Sequence, residues 1–136
     1  MSKFVTTNYL SSKDILKFSN HFVAIGVTVD DTGITANSDG KKIVSAGTII
    51  GGTGGANAIL ANDTIKATEH NTQGGATGTA GAGVDAEGVL LEDVDVTYGP
   101  ASGSMVIHGF IGLDNLPAVP VADAVTALKG RVLFIK

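Results

Sequence analysis

Three histidines, a cluster of carboxylates and several glycine-rich stretches are the residues of this 136-residue chain whose types could do chemistry. His21, His70 and His108 lie far apart, and none stands in a His-Glu-x-x-His or His-x-His arrangement that would give a metal two ligands from one element. His108 falls in a strand-like run beside Phe110 and reads as a structural histidine, hydrogen-bonded or at a subunit contact. Glu92, Asp93 and Asp95 could offer oxygen ligands to a hard cation, but strand alternation sends Glu92 to one face and Asp93 with Asp95 to the other. Charges on a strand face also discourage edge pairing, which is the simpler role. Asp30, Asp31 and Asp39 lack the calcium-loop spacing that ends in a bidentate Glu. The stretch GGTGG (51–55) has no Gly-Lys-Ser/Thr ending, and GTAGAG (78–83) lacks the glycine spacing of a dinucleotide fingerprint. Neither Ser102 nor Ser104 sits in a Gly-x-Ser-x-Gly elbow. No catalytic residue, cofactor or metal ligand is therefore expected, and the chain reads as a non-enzyme.

The elements that would position these groups are β-strands. Nineteen glycines are about twice the usual share of roughly 7% without the strict period of collagen. They mark turns and loops, and with abundant Thr and Val and only three Pro they point to an all-β or β-dominated fold. Five Phe, two Tyr and no Trp make a light core, a shortage that oligomerisation would relieve. Nine Lys and Arg against thirteen Asp and Glu give a net charge of −4 with no basic stripe, so nucleic acid is not an expected partner. No apolar run is long enough to span a membrane, and MSKFVTTNYL lacks the apolar core of a signal peptide. Synthesis in a cytoplasm is expected, in agreement with the absence of cysteine.

Two domain parts are expected: an amino-terminal arm over residues 1–21, and a single β-rich domain over 22–136. The arm carries Phe4, Val5, Tyr9, Leu10, Ile15, Leu16 and Phe18 with no single period, and Ser12 to Phe18 could form one or two helical turns. It is either a frayed terminus or a segment that orders on a partner. Phe22 to Val29 alternates as a strand, and Ile34 to Ala36 reads as a short return strand between the turns at 30–33 and 37–40. Ala56 to Leu60 and Thr64 to Thr68 read as a strand pair. The low-complexity run EHNTQGGATGTAGA, with its following glycine residues 69–83, reads as a flexible loop.

The strongest pattern lies in residues 86–116, AEGVLLEDVDVTYGPASGSMVIHGFIGLDNL. Leu90 to Val96 and Ser104 to Ile111 are expected to face each other as a hairpin, with the adjacent Leu90 and Leu91 marking a bulge or an entry from a fully buried stretch. Pro120 to Lys129 predicts a short amphipathic helix ended by Gly130. Arg131 to Lys136 predicts a terminal strand.

GVLLEDVDVT, a small-residue turn and GSMVIHGFIGLDNL together resemble the segment shared by head-fibre and head-decoration proteins of tailed bacteriophages. KIVSAGTIIG (42–51) and ADAVTALKGRVLFI (122–135) are similar to that family as well, so the resemblance spans roughly Lys42 to Lys136, with 51–83 poorly matched. It implies a β-rich domain of barrel or β-tulip type, or a small sandwich, with one short helix near its carboxyl end and an extended amino-terminal arm. It further implies a homotrimer on the outer surface of a virion, bound to the major capsid protein, which cements the shell or forms the base of a head fibre. The more distant lambda-type decoration proteins imply an arm that orders on the capsid. That assigns capsid binding to Phe4, Val5, Tyr9, Leu10, Ile15, Leu16 and Phe18. The alternative is a fibre or tail adhesion module whose loops bind a receptor or glycan.

Overall fold

The computed structural model describes residues 14–136. Eight strands dominate it: β1 (Phe22–Val29), β2 (Ile43–Val44), β3 (Ile49–Gly52), β4 (Ala67–Glu69), β5 (Gly88–Leu90), β6 (Val94–Asp95), β7 (Ala101–Gly112) and β8 (Val132–Ile135). Two α-helices, α1 (Ala58–Ala61) and α2 (Ala122–Leu128), accompany them. The large sheet runs β1-β4-β3-β5-β7-β8, and because β1 also pairs with β7, its first five strands close into a ring. β2 and β6 form a separate two-stranded sheet. The β-dominated class expected from composition is the class observed.

The twelve-residue β7 is the hub. One of its edges takes β1 in antiparallel register, from Ala101 opposite Val29 to Gly109 opposite Phe22. Its other edge takes β5 at Met105 and Val106, then β8 in parallel from Gly109 to Gly112. Neighbouring residues of the middle strands serve two different cores. Ile50, Leu90 and Met105 pack inward with Val27, Val29, Val44, Val94 and Val96, while Ile49, Val89 and Val106 pack outward under Ala124 and Leu128 of α2. This explains the adjacent apolar pairs Ile49-Ile50 and Leu90-Leu91. A strand covered on both faces has no polar side to alternate with.

The expected hairpin is half right. Leu90 pairs with Met105 as a hairpin would have it, but the chain leaves the sheet at Leu91 and β6 pairs with β2 instead. Asp93 explains the departure, since its carboxylate accepts the Ala46 N–H at 2.7 Å and draws this stretch toward the β2–β3 connection. Ile34 to Ala36 is not a strand. The strand expected at 56–60 is instead a turn leading into α1, whose exposed N–H groups are met by a carboxylate from elsewhere in the chain (below). The helix from Pro120 is present as α2, and Gly130, at φ 88°, follows it in the left-handed conformation that ends helices.

Two expected boundaries shift. Ile15 is fully buried in the outer core, Gly112 N–H donates to its carbonyl at 2.8 Å, and Leu16 bridges to Ile111. The folded body therefore begins at least seven residues before Phe22, and residues 15–17 bond to β7 beyond the end of β1 rather than coil into a helix. The glycine-rich loop, expected to be loose, is tied at many points. Thr77 hydroxyl and Gly78 N–H donate to the buried Asp85 carboxylate. Gly74 N–H donates to Asp123, Asp123 N–H donates to Gln73, and Val121 N–H donates to Asn71. Its large side chains are few, but its backbone polar groups find partners in α2 and its approach.

Candidate docking face

Beyond the ring, β7 continues with β8 on one side and residues 16–23 on the other. A register shift between Val23 and Ala24 leaves Ile107 without an opposite residue on β1, so Val106 faces Ala24 while His108 faces Val23. The extra residue resets the alternation. His108 and Phe110 thereby come out on one open face, with Val23 opposite His108 and Leu133 opposite Phe110. Ile111 and Val132 turn the other way into the outer core.

The open face is aromatic. The Phe18 ring stands edge-on to Phe110, centroids 5.4 Å apart, and His21 lies 5.3 Å from His108 and 5.6 Å from Phe110. These rings sit at the separations of favourable aromatic pairs, yet they remain wet. Phe18 and Leu133 are each 49% exposed and Val23 is 50% exposed. Lys17 N–H donates to the Phe110 carbonyl at 2.8 Å, holding the 17–21 bend against the strand.

The residues singled out by type are dispersed by the fold. Of the expected capsid-binding residues, Phe4, Val5, Tyr9 and Leu10 lie outside the described residues. Ile15, buried in the core, cannot touch a partner without unfolding, which corrects its assignment. Leu16 packs beside it, and Phe18 joins the open face. His70 is fully buried, with Nδ1 3.0 Å from the Thr68 carbonyl, so Nδ1 carries the proton and Nε2 is left with no partner among the described residues. Asp93 and Asp95, expected on one face, do separate jobs: Asp93 binds the Ala46 N–H and Asp95 caps the turn to Thr97. Thr97 hydroxyl and then Thr97 N–H hold the Asp95 carboxyl below its ordinary pKa. No group of three or more His, Asp or Glu side chains converges as for a metal among the described residues.

The chain also holds an unsuspected carboxylate. Glu87 is completely buried, and its two oxygens accept Gly52 N–H at 2.8 Å and Ile59 and Leu60 N–H, each at 3.0 Å. It caps α1 from outside, where Asn57 makes no side-chain cap. A lone Glu entering the apolar run 86–91 was the available signal.

A cleft of about 750 Å³ lies elsewhere, along β3, β4 and the 30–34 turn, with Asp30 and Glu69 its charged lining residues. Burial works to raise the Asp30 pKa, but Thr32 N–H and hydroxyl, Asp31 N–H and the Lys66 charge together hold it below its ordinary value. That carboxylate is already engaged by its own turn. Among the described residues, it is the aromatic face that gathers large, exposed, mutually packed side chains. Compared with protein-family models and with curated proteins, the chain matches none.

Proposed function

We propose that the chain is a phage virion structural protein that binds the outer surface of the capsid, as a decoration or cement protein or as the base of a head fibre. The observation that carries this reading is the aromatic face, to which the resembling stretch GSMVIHGFIGLDNL contributes His108 and Phe110. A face with half-exposed Phe18, Val23 and Leu133 has the character of a contact surface rather than of a ligand pocket. It sits where the chain enters the folded body from residues 1–13, so an arm and a face would engage one partner together. Many identical weak contacts on a symmetric shell would give avidity without a deep site. On this reading the partner is the major capsid protein and the working form is a homotrimer.

The test is to incubate the purified protein with undecorated phage heads and count copies bound per shell by mass measurement and imaging. Saturation at lattice-symmetry sites is the expected result, and no binding to heads would overturn the reading. A receptor- or glycan-binding fibre module is the second reading, favoured by Tyr98, which is fully exposed in the turn before β7. It would be preferred if glycan binding, lost in Tyr98→Ala, were found without head binding.

A further inference from the structure

β8 is the last strand of the large sheet, and among the described residues no backbone pairs with its outer edge. In a parallel strand the N–H and C=O groups alternate between neighbours, so those not used by β7 point outward, ready to pair. Two further features say what would pair there. Leu133, half exposed, stands beside Phe110 on the aromatic face, so a strand added to β8 would set its own alternate side chains against Leu133 and the rings behind it. Basic residues flank the strand at both ends, Lys129 and Arg131 before it and Lys136 after it, while Lys17 lies on the far side of Phe110. Arg131 also donates to the Glu87 and Ala127 carbonyls, which holds its guanidinium beside β5 and α2 at the start of β8.

From this arrangement we infer that the β8 edge and the aromatic face form one site for strand addition. Its occupant is an extended segment of a partner protein with apolar residues in its middle and a carboxylate at each end. The charges argue against a second copy of this chain. An antiparallel pair of β8 strands centred on Leu133 and Phe134 would set Arg131 of one copy opposite Lys136 of the other, twice, and like charges directly opposite are destabilising. An acidic-ended segment turns the same four positions into attractions that also fix its register. The inference rests on the aromatic face being a contact surface, as proposed above, and does not need the partner to be a capsid protein.

The experiment uses the full chain and two labelled synthetic peptides, Glu-Val-Thr-Val-Thr-Glu, whose end residues are spaced as Arg131 and Lys136 are, and the same peptide with Lys at both ends. Binding is read by fluorescence anisotropy and located by backbone amide shifts in NMR spectra. The acidic peptide is expected to bind about tenfold more tightly than the basic one, to weaken with added salt, and to shift the amides of β8 and of residues 108–111. Leu133→Lys, at an exposed position that leaves the cores intact, is expected to cost about tenfold in the same assay. Equal binding of the two peptides, no binding, or shifts confined to another surface would overturn the inference. So would a wild-type dimer that Leu133→Lys converts to monomer, since a second copy would then be the occupant. Binding that appears only after residues 1–13 are removed would equally assign the edge to the chain's own segment. Head binding without any peptide binding would sink the inference and leave the capsid reading standing, whereas peptide binding without head binding would do the reverse.

Discussion

The two halves of β7 contrast in what covers them. At Met105 and Val106 the strand is held between β1 and β5, with one core on each side. From His108 to Gly112 it is held between residues 15–23 and β8, with one covered face and one open aromatic face. The same strand is thus scaffold at one end and surface at the other, and the unpaired Ile107 divides them. The lesson is that a hydrophobic strand need not be uniformly buried. A single bulge decides which side chains it gives to the core and which to the outside.

That contrast can be broken at its strongest point by Glu87→Ala. The change would leave three backbone N–H groups around β3 and α1 without their acceptor, so a loss of about 3–5 kcal/mol is expected in chemical denaturation. A loss below about 1 kcal/mol would mean that water replaces the carboxylate. Gly88→Ala tests the tightness of the middle. An added Cβ would stand 2.5 Å from both Met105 Cγ and the Val106 carbonyl, and about 1–3 kcal/mol should be lost as the strands are forced apart. At the open end, Leu133→Lys should change stability by no more than about 0.5 kcal/mol. If it proved as costly as Gly88→Ala, the open face would be core after all.

The smallest effect concerns pH. Asp95 is held below its ordinary pKa by Thr97, so it favours the folded state above its unfolded value and loses that contribution as pH falls through its folded value. Asp95→Asn should therefore melt slightly below the wild type at neutral pH and coincide with it near pH 2, a difference read by thermal scans at several pH values. A gap that stayed constant across that range would show that the charge is not what Thr97 stabilises.

Particular residues show how far the sequence could be read. Phe22 to Val29 was legible because one face of β1 meets a core and the other does not. Pro120 to Gly130 was legible because helix period and terminal residues agree. The stretch 56–60 reads as a strand in the sequence, whereas its short helix depends on Glu87, distant in the chain, and composition carries no trace of that bond. The loop at 69–83 was misread for a similar reason. Small residues predict freedom, but Asp85 and Asp123 supply acceptors that a count of side chains cannot reveal. Ile15 falls in the expected arm because residues 1–21 show no single period, yet it faces a core assembled from strands up to 117 residues away.

For the candidate site, the sequence by itself places His108 and Phe110 in one strand, with His108 read as structural, and puts Phe18 in a separate arm. Local pattern determined the strands, the turns, the helix α2 and the β-dominated class, because alternation, turn residues and end residues act over a few positions. The pairing of β6 with β2, the burial of Ile15, the cap from Glu87 and the meeting of His21, His108, Phe110 and Leu133 were decided only by tertiary structure. Each depends on contacts between residues distant in the chain. A bulge at Ile107, worth one residue of register, turns His108 and Phe110 to the open face.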